Sequence, residues 1–499
     1  MSYISDMQDP SRPNRRDFLS GLAAGALISG FDPVGRSWVT GAWHAPAVRV
    51  PALKGKLVFD NAALSTDADD FGHIIHDRPW AVLQPGDIND IVVMLRFCNE
   101  QRIPAAPRGQ GHATYGQAQA SGGLVIETGT LDAIKVGAGS VEAGAGARWS
   151  SVLAATLPQG LTPPVLTDYL ELSVGGTLSV GGVGGASPHY GAQVDNVLEL
   201  EVVTGAGRRV VCSPGDEPEL FYAVLAGLGQ CAVLVRATLR LVPAPGNVRH
   251  YILYYPSVDA LTADQRLVQA DGRFSFAEGE AALNPNGPGW QYYIEAAAFY
   301  DSTPPDDVTL IGDLHFERGT QQIEDLGYFD FLDRLAPDVA FLESTGEWYD
   351  PHPWWNVFLP DSVTDAFVSG LMAGLTEADI GASGVILLYP LTRATLRAPL
   401  LRVPGEPVVF LLSLLRTAAP DSGGALAADV MLTDNRALFE QARDLGGYQY
   451  PIGSIPMTRR DWREHFGGQW PFLATMRQRY DPAGILTPGQ GIFDPGPFR

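Results

Sequence analysis

The spacing of apolar residues changes period along this chain, and each change marks an element. Trp80-Ala81-Val82-Leu83-Gln84-Pro85 is a short apolar run closed by Pro, which predicts a strand. Ile88, Ile91, Val92, Leu95 and Cys98 then recur at helical spacing. Asp87 stands at the N-cap of that helix with Asp90 three residues on, a variant of the capping box. Apolar runs predict strands at Leu124–Ile126, Ile134–Val136, Val141–Ala143, Val197–Thr204, Arg209–Cys212 and Ala232–Leu241, and helices at Ser151–Leu157 and Glu219–Leu225. Residues 173–196 fit neither period. They hold seven Gly among small residues, which predicts backbone that is neither helix nor ordinary strand and packs closely against something large. Pro243-Ala244-Pro245-Gly246 marks a linker. Beyond it Tyr, Phe and Trp concentrate between Tyr251 and Trp355. Val248–Tyr255, Phe274–Ala281 and Trp290–Ala298 predict antiparallel strands, Val385–Tyr389 and Val408–Leu415 further strands, and Leu326–Leu335 and Asp365–Leu375 helices. Pro471–Tyr480 predicts a helix with Pro at its first position, stopped before Asp481-Pro482.

Composition narrows the class. A chain of 499 residues with 45% apolar and 18% charged residues can bury a large core, and its length suits two or three domains. A net charge of −22 repels phosphate backbones and argues against general nucleic-acid binding. Cys98, Cys212 and Cys231 are odd in number and widely spaced, so they support neither a disulfide framework nor a cysteine zinc site. No run of about 18 apolar residues exists, so no transmembrane helix is expected. At the N-terminus, Arg15-Arg16-Asp17-Phe18-Leu19 precedes a Gly/Ala/Leu-rich stretch from Ser20 to Phe31, and Ala45-Pro46-Ala47 is a small-residue cleavage site. Residues 1–47 therefore resemble a Tat export signal, with periplasmic or extracellular delivery expected; a plain disordered basic terminus is the alternative. The Tat route carries folded proteins, which suits a cofactor loaded before export.

The candidate chemistry is in the glycines. Pro107-Arg108-Gly109-Gln110-Gly111-His112-Ala113-Thr114-Tyr115-Gly116-Gln117 spaces its glycines so that consecutive backbone N–H groups can face a pyrophosphate. No GxGxxG opens a helix here, so this is not the Rossmann fingerprint. A second glycine-rich stretch, Val174–Gly185, makes two loops over which a dinucleotide can extend. HExxH, GxSxG and Walker A sequences are absent, no basic run interleaved with aromatics occurs, and no metal site is expected.

These loops resemble the vanillyl-alcohol-oxidase-like FAD-binding fold, and the resemblance is nearest to the cytokinin dehydrogenase family, from about Asp70 to Phe493. It is carried by Asp70-Phe71-Gly72, Arg108–Gln117, Thr167-Asp168-Tyr169-Leu170 leading into Val174–Ser179, Asn196–Leu200 with Val203-Thr204-Gly205, and Ala226-Gly227-Leu228-Gly229-Gln230. Further matches are Phe276–Gly279, Asp330-Phe331-Leu332, Pro351–Phe358, Asp461-Trp462, His465-Phe466-Gly467 and Tyr480-Asp481-Pro482 through Gly489-Gln490.

The resemblance implies an α+β, two-domain PCMH-type FAD-binding fold with an α+β cap. An FAD domain would span 48–245, a substrate-binding cap 246–445, and a segment returning to the FAD domain 446–499. It implies FAD bound through Arg108, Gly109, Gln110, Gly111, His112, Ala113, Gln117, Asp168, Ser173, Ser179, Val183, Leu234, Tyr450, Thr487 and Gln490, covalently at His112. Ala113 stands where the family has Ser, which removes one hydroxyl contact to the cofactor. By the same resemblance Asp168 is the catalytic base, and Glu278 a carboxylate at the pocket rim with a catalytic and substrate-binding part. Trp354 lies beside a flat substrate, and Asn356 is its polar anchor.

Taken alone, each of these residues has a plainer reading. Asp168 is a turn carboxylate, Glu278 and Glu280 are alternating carboxylates on a solvated strand face, and Trp354 and Asn356 are a buried ring and a turn amide. The expected activity is oxidation of a secondary amine such as an N6-substituted adenine, with a quinone or O₂ as final electron acceptor. An alcohol, sugar or natural-product oxidase on the same fold remains open, as does a flavin or ligand carrier without turnover.

Overall fold

The protein is described by a computed structural model covering residues 28–32, 37–40, 48–285, 287–419 and 425–493. Arg15-Arg16 and Ala45-Pro46-Ala47, on which the export reading rests, lie outside the described residues. Ile28–Asp32, Ser37–Thr40 and Val48–Arg49 pair as a small antiparallel sheet, so the weakly apolar stretch before Phe31 runs on into strand.

Two sheets come from the N-terminal half. The first orders Lys56–Val58, Ala81–Gln84, Leu124–Glu127 and Ala105–Arg108, the last three parallel. The helix Ile88–Gln101 connects two of its strands and buries Ile91, Met94, Leu95 and Cys98 against it. Asp87 caps this helix by accepting from Asp90 N–H. Asp90 does not complete a capping box; it is buried and accepts from the backbone N–H groups of Lys54, Gly55 and Gly86, clamping the preceding turn. The second sheet is antiparallel, in the order Arg209–Cys212, Val197–Thr204, Ala232–Arg240, Ser140–Gly144, Ile134–Val136.

The third sheet has eight antiparallel strands, in the order Gln322–Gly327, Asn247–Tyr255, Trp290–Tyr300, Phe276–Leu283, Val385–Thr392, Val408–Leu415, Trp355–Pro360, Tyr448–Gln449. Its period-two alternation sorts residues between two environments. Tyr251, Leu253, Ile294, Ala296, Leu388, Phe410 and Leu412 face a core closed by the helices Val258–Asp271, Asp361–Gly374 and Ala428–Asp444, through residues such as Leu261, Val268, Val368 and Phe439. Phe276, Ala297, Tyr389, Leu391 and Leu411 face the other way and join the core built on the second sheet. Glu278, Glu280 and Glu295 share the register of this second set, so the sheet carries its carboxylates into the space between the two halves.

The tail closes the molecule. From Tyr448–Gln449 on the large sheet it runs through the helices Arg459–Phe466 and Trp470–Tyr480 to the first sheet, where Thr487 N–H donates to Ala105 O and Ala105 N–H to Ile485 O, both at 2.8 Å. Several elements depart from the sequence reading. The glycine-rich stretch 173–196 contains a true helix, Val174–Val180, because Val174 and Leu178 are fully buried and the bare Gly175 lets it lie against Ala145. Leu326–Leu335 is a strand end, Gln322–Gly327, followed by a short helix, Tyr328–Leu332. Several helices were not read at all, among them Val258–Asp271, Ala336–Thr345 and Ala428–Asp444. The three cysteines are free and buried, and no helix of the described residues is long and apolar enough to cross a membrane.

Candidate functional site

The loop after the strand Ala105–Arg108 turns its backbone outward. The carbonyls of Gly111 and Ala113 accept from Phe71 and Gly72 N–H, whereas the N–H groups of Gly109 through Ala113 have no hydrogen-bond partner among the described residues. A run of successive unpaired backbone amides can serve as an anion cradle. Its shape depends on missing side chains: a Cβ on Gly109 would come within 2.0 Å of Ser173 Oγ, and Gly111 has φ +69°. Arg108 fastens the base of the loop, pairing with Asp67 at 3.0 Å and donating to Asp69 O at 2.6 Å. Asp70, buried and pushed up to about 7 by that burial, accepts from Gly116 and Gly72 N–H at 2.7 and 3.1 Å. Gln117 spends its amide on Tyr115 N–H and Gly453 O, which shapes the loop and leaves little for a ligand.

His112 projects from this cradle into a cluster of rings. It stacks on Phe71 at 4.1 Å, Phe71 stacks on His352 at 4.0 Å, and Tyr169, Trp348 and Trp354 stand 5.1, 5.9 and 5.7 Å from His112. Burial, helped by the neighbouring His352, pushes His112 down to about 3, so its imidazole is neutral at ordinary pH. Trp354 is half-buried, while Asn356 is wholly buried with neither amide atom hydrogen-bonded among the described residues.

A carboxylate cluster begins at Asp168, the chain neighbour of Tyr169. Asp168, in the loop 163–172, accepts from Arg334 Nη2 at 2.9 Å. Glu278 and Glu295 sit directly across from each other on neighbouring strands. Glu295 takes both arms of Arg334 at 2.8 Å; burial works against its charge, but Arg334 and His250 hold it down at about 2. Glu278 is raised well above the ordinary carboxylate range, first by burial and then by Asp168, and Tyr389 is buried close beside it. Glu280 accepts from Tyr293 OH at 2.5 Å and is pushed up to about 7 by burial and Glu295. Two readings of this strand are corrected. Its carboxylates are not a solvated face, since the N-terminal half covers that side of the sheet. Nor is Glu278 at a rim; it is 1% exposed.

The remaining expected residues fall at the junction of tail, cap and cradle. Tyr450 OH accepts from Gly182 N–H at 3.1 Å, and Tyr450 N–H donates to Asn356 O. Thr487, at φ +44°, donates its hydroxyl to Leu228 O and accepts from Gln230. Gly489 lies where a Cβ would meet Gly116 O at 2.0 Å, which presses the tail, with Gln490 beside it, onto the cradle loop. Ser179 turns its hydroxyl back to Gly175 O at 2.7 Å, and Val183 and Leu234 are core residues. Gln110 points to solvent.

An FAD fits these features. Its pyrophosphate suits the free amides of Gly109–Ala113, its ring system suits the cage around His112, and Asn356 offers an unpaired buried amide. Two solved structures share this architecture. 6-Hydroxy-D-nicotine oxidase from Arthrobacter nicotinovorans matches with a TM-score of 0.67 at 19% identity, covering 87% of this chain and 96% of that one. A VAO-type flavoprotein from Myceliophthora thermophila matches at 0.65 and 18%, covering 82% and 79%. The fold is therefore that of a VAO-type FAD-binding flavoprotein. Residues 79–213 match the FAD binding domain model, and residues 282–493 the model described as "Cytokinin dehydrogenase 1, FAD and cytokinin binding". An uncharacterized oxidoreductase of the fasciation locus of Rhodococcoides fascians is 40% identical over 86% of this chain and 97% of its own length. Cytokinin dehydrogenase 10 of Oryza sativa subsp. japonica is 36% identical over 88% and 89%. The chain belongs to the cytokinin dehydrogenase family of FAD-dependent oxidoreductases.

The sequence reading missed Arg334, Glu295 and Tyr389, and gave Phe71, Tyr169, Trp348 and His352 no place in the cage. Arg334 stands two residues beyond the Asp330-Phe331-Leu332 match, which was the available signal.

Proposed function

We propose that the protein oxidises a secondary amine of the N6-substituted adenine type to an imine, which water cleaves to adenine and an aldehyde. The reading is supported by Asp168, the chain neighbour of the cage residue Tyr169, standing next to Glu278, a carboxyl that burial keeps protonated. FAD, when bound, supplies the acceptor for the hydride leaving the carbon beside the amine nitrogen. Asp168 removes the N–H proton, so the nitrogen lone pair can form the C=N bond as the C–H bond breaks. Glu278 as a neutral acid can hydrogen-bond a ring nitrogen or stay proton-loaded beside Asp168 without repelling it. Trp354, half-buried at the edge of Phe71, gives a flat substrate an apolar wall that excludes water while the proton moves.

The test is anaerobic mixing of the yellow protein with cytokinins, sugars and aryl alcohols. Bleaching of the visible flavin band by N6-substituted adenines alone supports the reading; bleaching only by a sugar or an alcohol overturns it. As part of the same proposal the cofactor is covalently held by His112, whose neutral ring has a lone pair available. Flavin fluorescence that comigrates with the denatured chain, and is lost in His112→Ala, is the expected result. The chain is further proposed to be exported through its twin arginines; Arg15→Lys with Arg16→Lys should hold it in the cytoplasm.

A further inference from the structure

Asp168 lies in the loop 163–172, outside helix and strand, and a base on a loop needs something to hold it. Arg334 does so. It donates to Asp168 Oδ1 at 2.9 Å, leaving Oδ2 without a partner among the described residues. The guanidinium itself is fixed from three sides. Its Nε and Nη2 take the two oxygens of Glu295 at 2.8 Å each, and the rings of Phe276 and Phe331 lie 4.8 and 4.9 Å from its carbon. Glu295 is braced in turn by His250 Nε2 at 2.9 Å, and His250 Nδ1 faces Glu324 at 3.1 Å.

We infer that Arg334 is a positioning residue for Asp168. Anchored by Glu295 and, behind it, by His250, it holds one carboxylate oxygen and presents the other to the substrate's N–H. Glu278, across the strand pair from Glu295, has no hydrogen bond to the guanidinium among the described residues; Glu295 and Asp168 share it. Lysine could not do this, since a single ammonium lacks the fork that grips Glu295 while a third hydrogen bond reaches Asp168.

The kinetic arm of the test rests on the amine-oxidising reading; the structural arm does not. In Arg334→Ala holoenzyme, single-turnover flavin reduction by an N6-substituted adenine should slow by about 10²-fold, the scale for a reactive group displaced by about an ångström, with KM changing far less. Without substrate, hydrogen exchange in residues 163–172 should rise. Millimolar guanidinium chloride should restore both the rate and the protection, and sodium chloride neither. Arg334→Lys should fall between the two. If Arg334→Ala does not fold, Glu295→Gln, which loosens the anchor and keeps the cation, should raise exchange in the same loop. Wild-type rate and protection in Arg334→Ala would overturn the inference, as would a slow variant whose loop exchange is normal and which guanidinium does not rescue. If no amine reduces the wild-type flavin, the functional reading fails, while loop exchange and its rescue still decide the role of Arg334.

Discussion

Glu278→Gln isolates the energetics of the cluster. Glu278 is 1% exposed, and one of its oxygens has no partner among the described residues. Burial and the nearby Asp168 raise its proton affinity in the folded protein. The unfolded chain releases the same proton near pH ~4.3. The sign follows from linkage. A group whose folded value is raised contributes stability that is fully present below the unfolded value and is lost as pH rises through the folded one. Between the two values the folded state binds one proton more than the unfolded state, so stability falls by about 1.4 kcal/mol per pH unit on account of Glu278. Glutamine reproduces the shape of the protonated carboxyl and does not titrate. The variant should therefore gain on wild type by about 1.4 kcal/mol for each pH unit above ~4.3, levelling off once the folded value is passed. Urea unfolding at a series of pH values, with flavin content matched, reads the difference through the midpoint at constant m-value. Asp70, pushed up to about 7 by burial and not by this cluster, titrates in the two proteins alike and leaves the difference curve. A difference that is flat with pH, or that shrinks as pH rises, would refute a neutral, buried Glu278.

Asp168→Asn should slow single-turnover flavin reduction by about 10²–10⁴-fold with FAD content unchanged, because it keeps the bond from Arg334 and loses the base; a wild-type rate removes that role. Gly489→Ala sets a methyl group against Gly116 O, and should cost about 1–3 kcal/mol in urea unfolding and weaken flavin retention, since the tail must lift from the cradle. Thr458→Ala should cost about 1 kcal/mol, as Thr458 caps the helix Arg459–Phe466 through Asp461 N–H. Asp461, held at about 2 by Arg436 and Thr458 although burial opposes them, contributes stability present above ~3.9 and lost as pH falls toward 2. Asp461→Asn should flatten that acid limb of the unfolding curve.

The strands were legible because their β-branched and aromatic runs carry the signal locally: Val197–Thr204, Arg209–Cys212 and Val408–Leu415 are observed as read. The helices over the large sheet were less so. Ala336–Thr345 buries none of its residues, so no apolar stripe exists to be seen. Val174–Val180 is a helix against its glycines, since the packing of Val174 and Leu178 outweighs propensity. His112, Asp168 and Glu278 were reachable because each sits inside a short recognisable segment. Glu295, Tyr389 and Arg334 were not. Their place beside Glu278 is fixed by cross-strand register and by a turn some 50 residues along the chain, which no local pattern encodes. The alternation of Glu278 and Glu280 left the solvated-face alternative open for a related reason: period two says which residues share a face, but not whether water or another layer of the protein covers it.

That covered face narrows what the site can accept. Four carboxyl groups share it with one guanidinium and one imidazole, and burying such a set costs stability unless charges are paired or neutralised. Glu295 is paired, Asp168 is paired through one oxygen, and Glu278 and Glu280 are pushed toward the neutral form. Burial opposes a charge on His250, but Glu295 and Glu324 raise its proton affinity, so with Glu278 and Glu280 pushed toward the neutral form the cluster carries no large excess of negative charge. A hydride can leave the carbon beside nitrogen only when the nitrogen lone pair is free to replace it. A strongly anionic pocket would hold an aliphatic amine as its ammonium, with that lone pair occupied. An amine conjugated to a purine ring is uncharged at neutral pH and offers Asp168 an N–H rather than a cation. The near-neutralisation of Glu278 and Glu280 thus matches the protonation state that the proposed substrate needs, and it ties the burial of this strand face to the chemistry rather than to the stability of the fold.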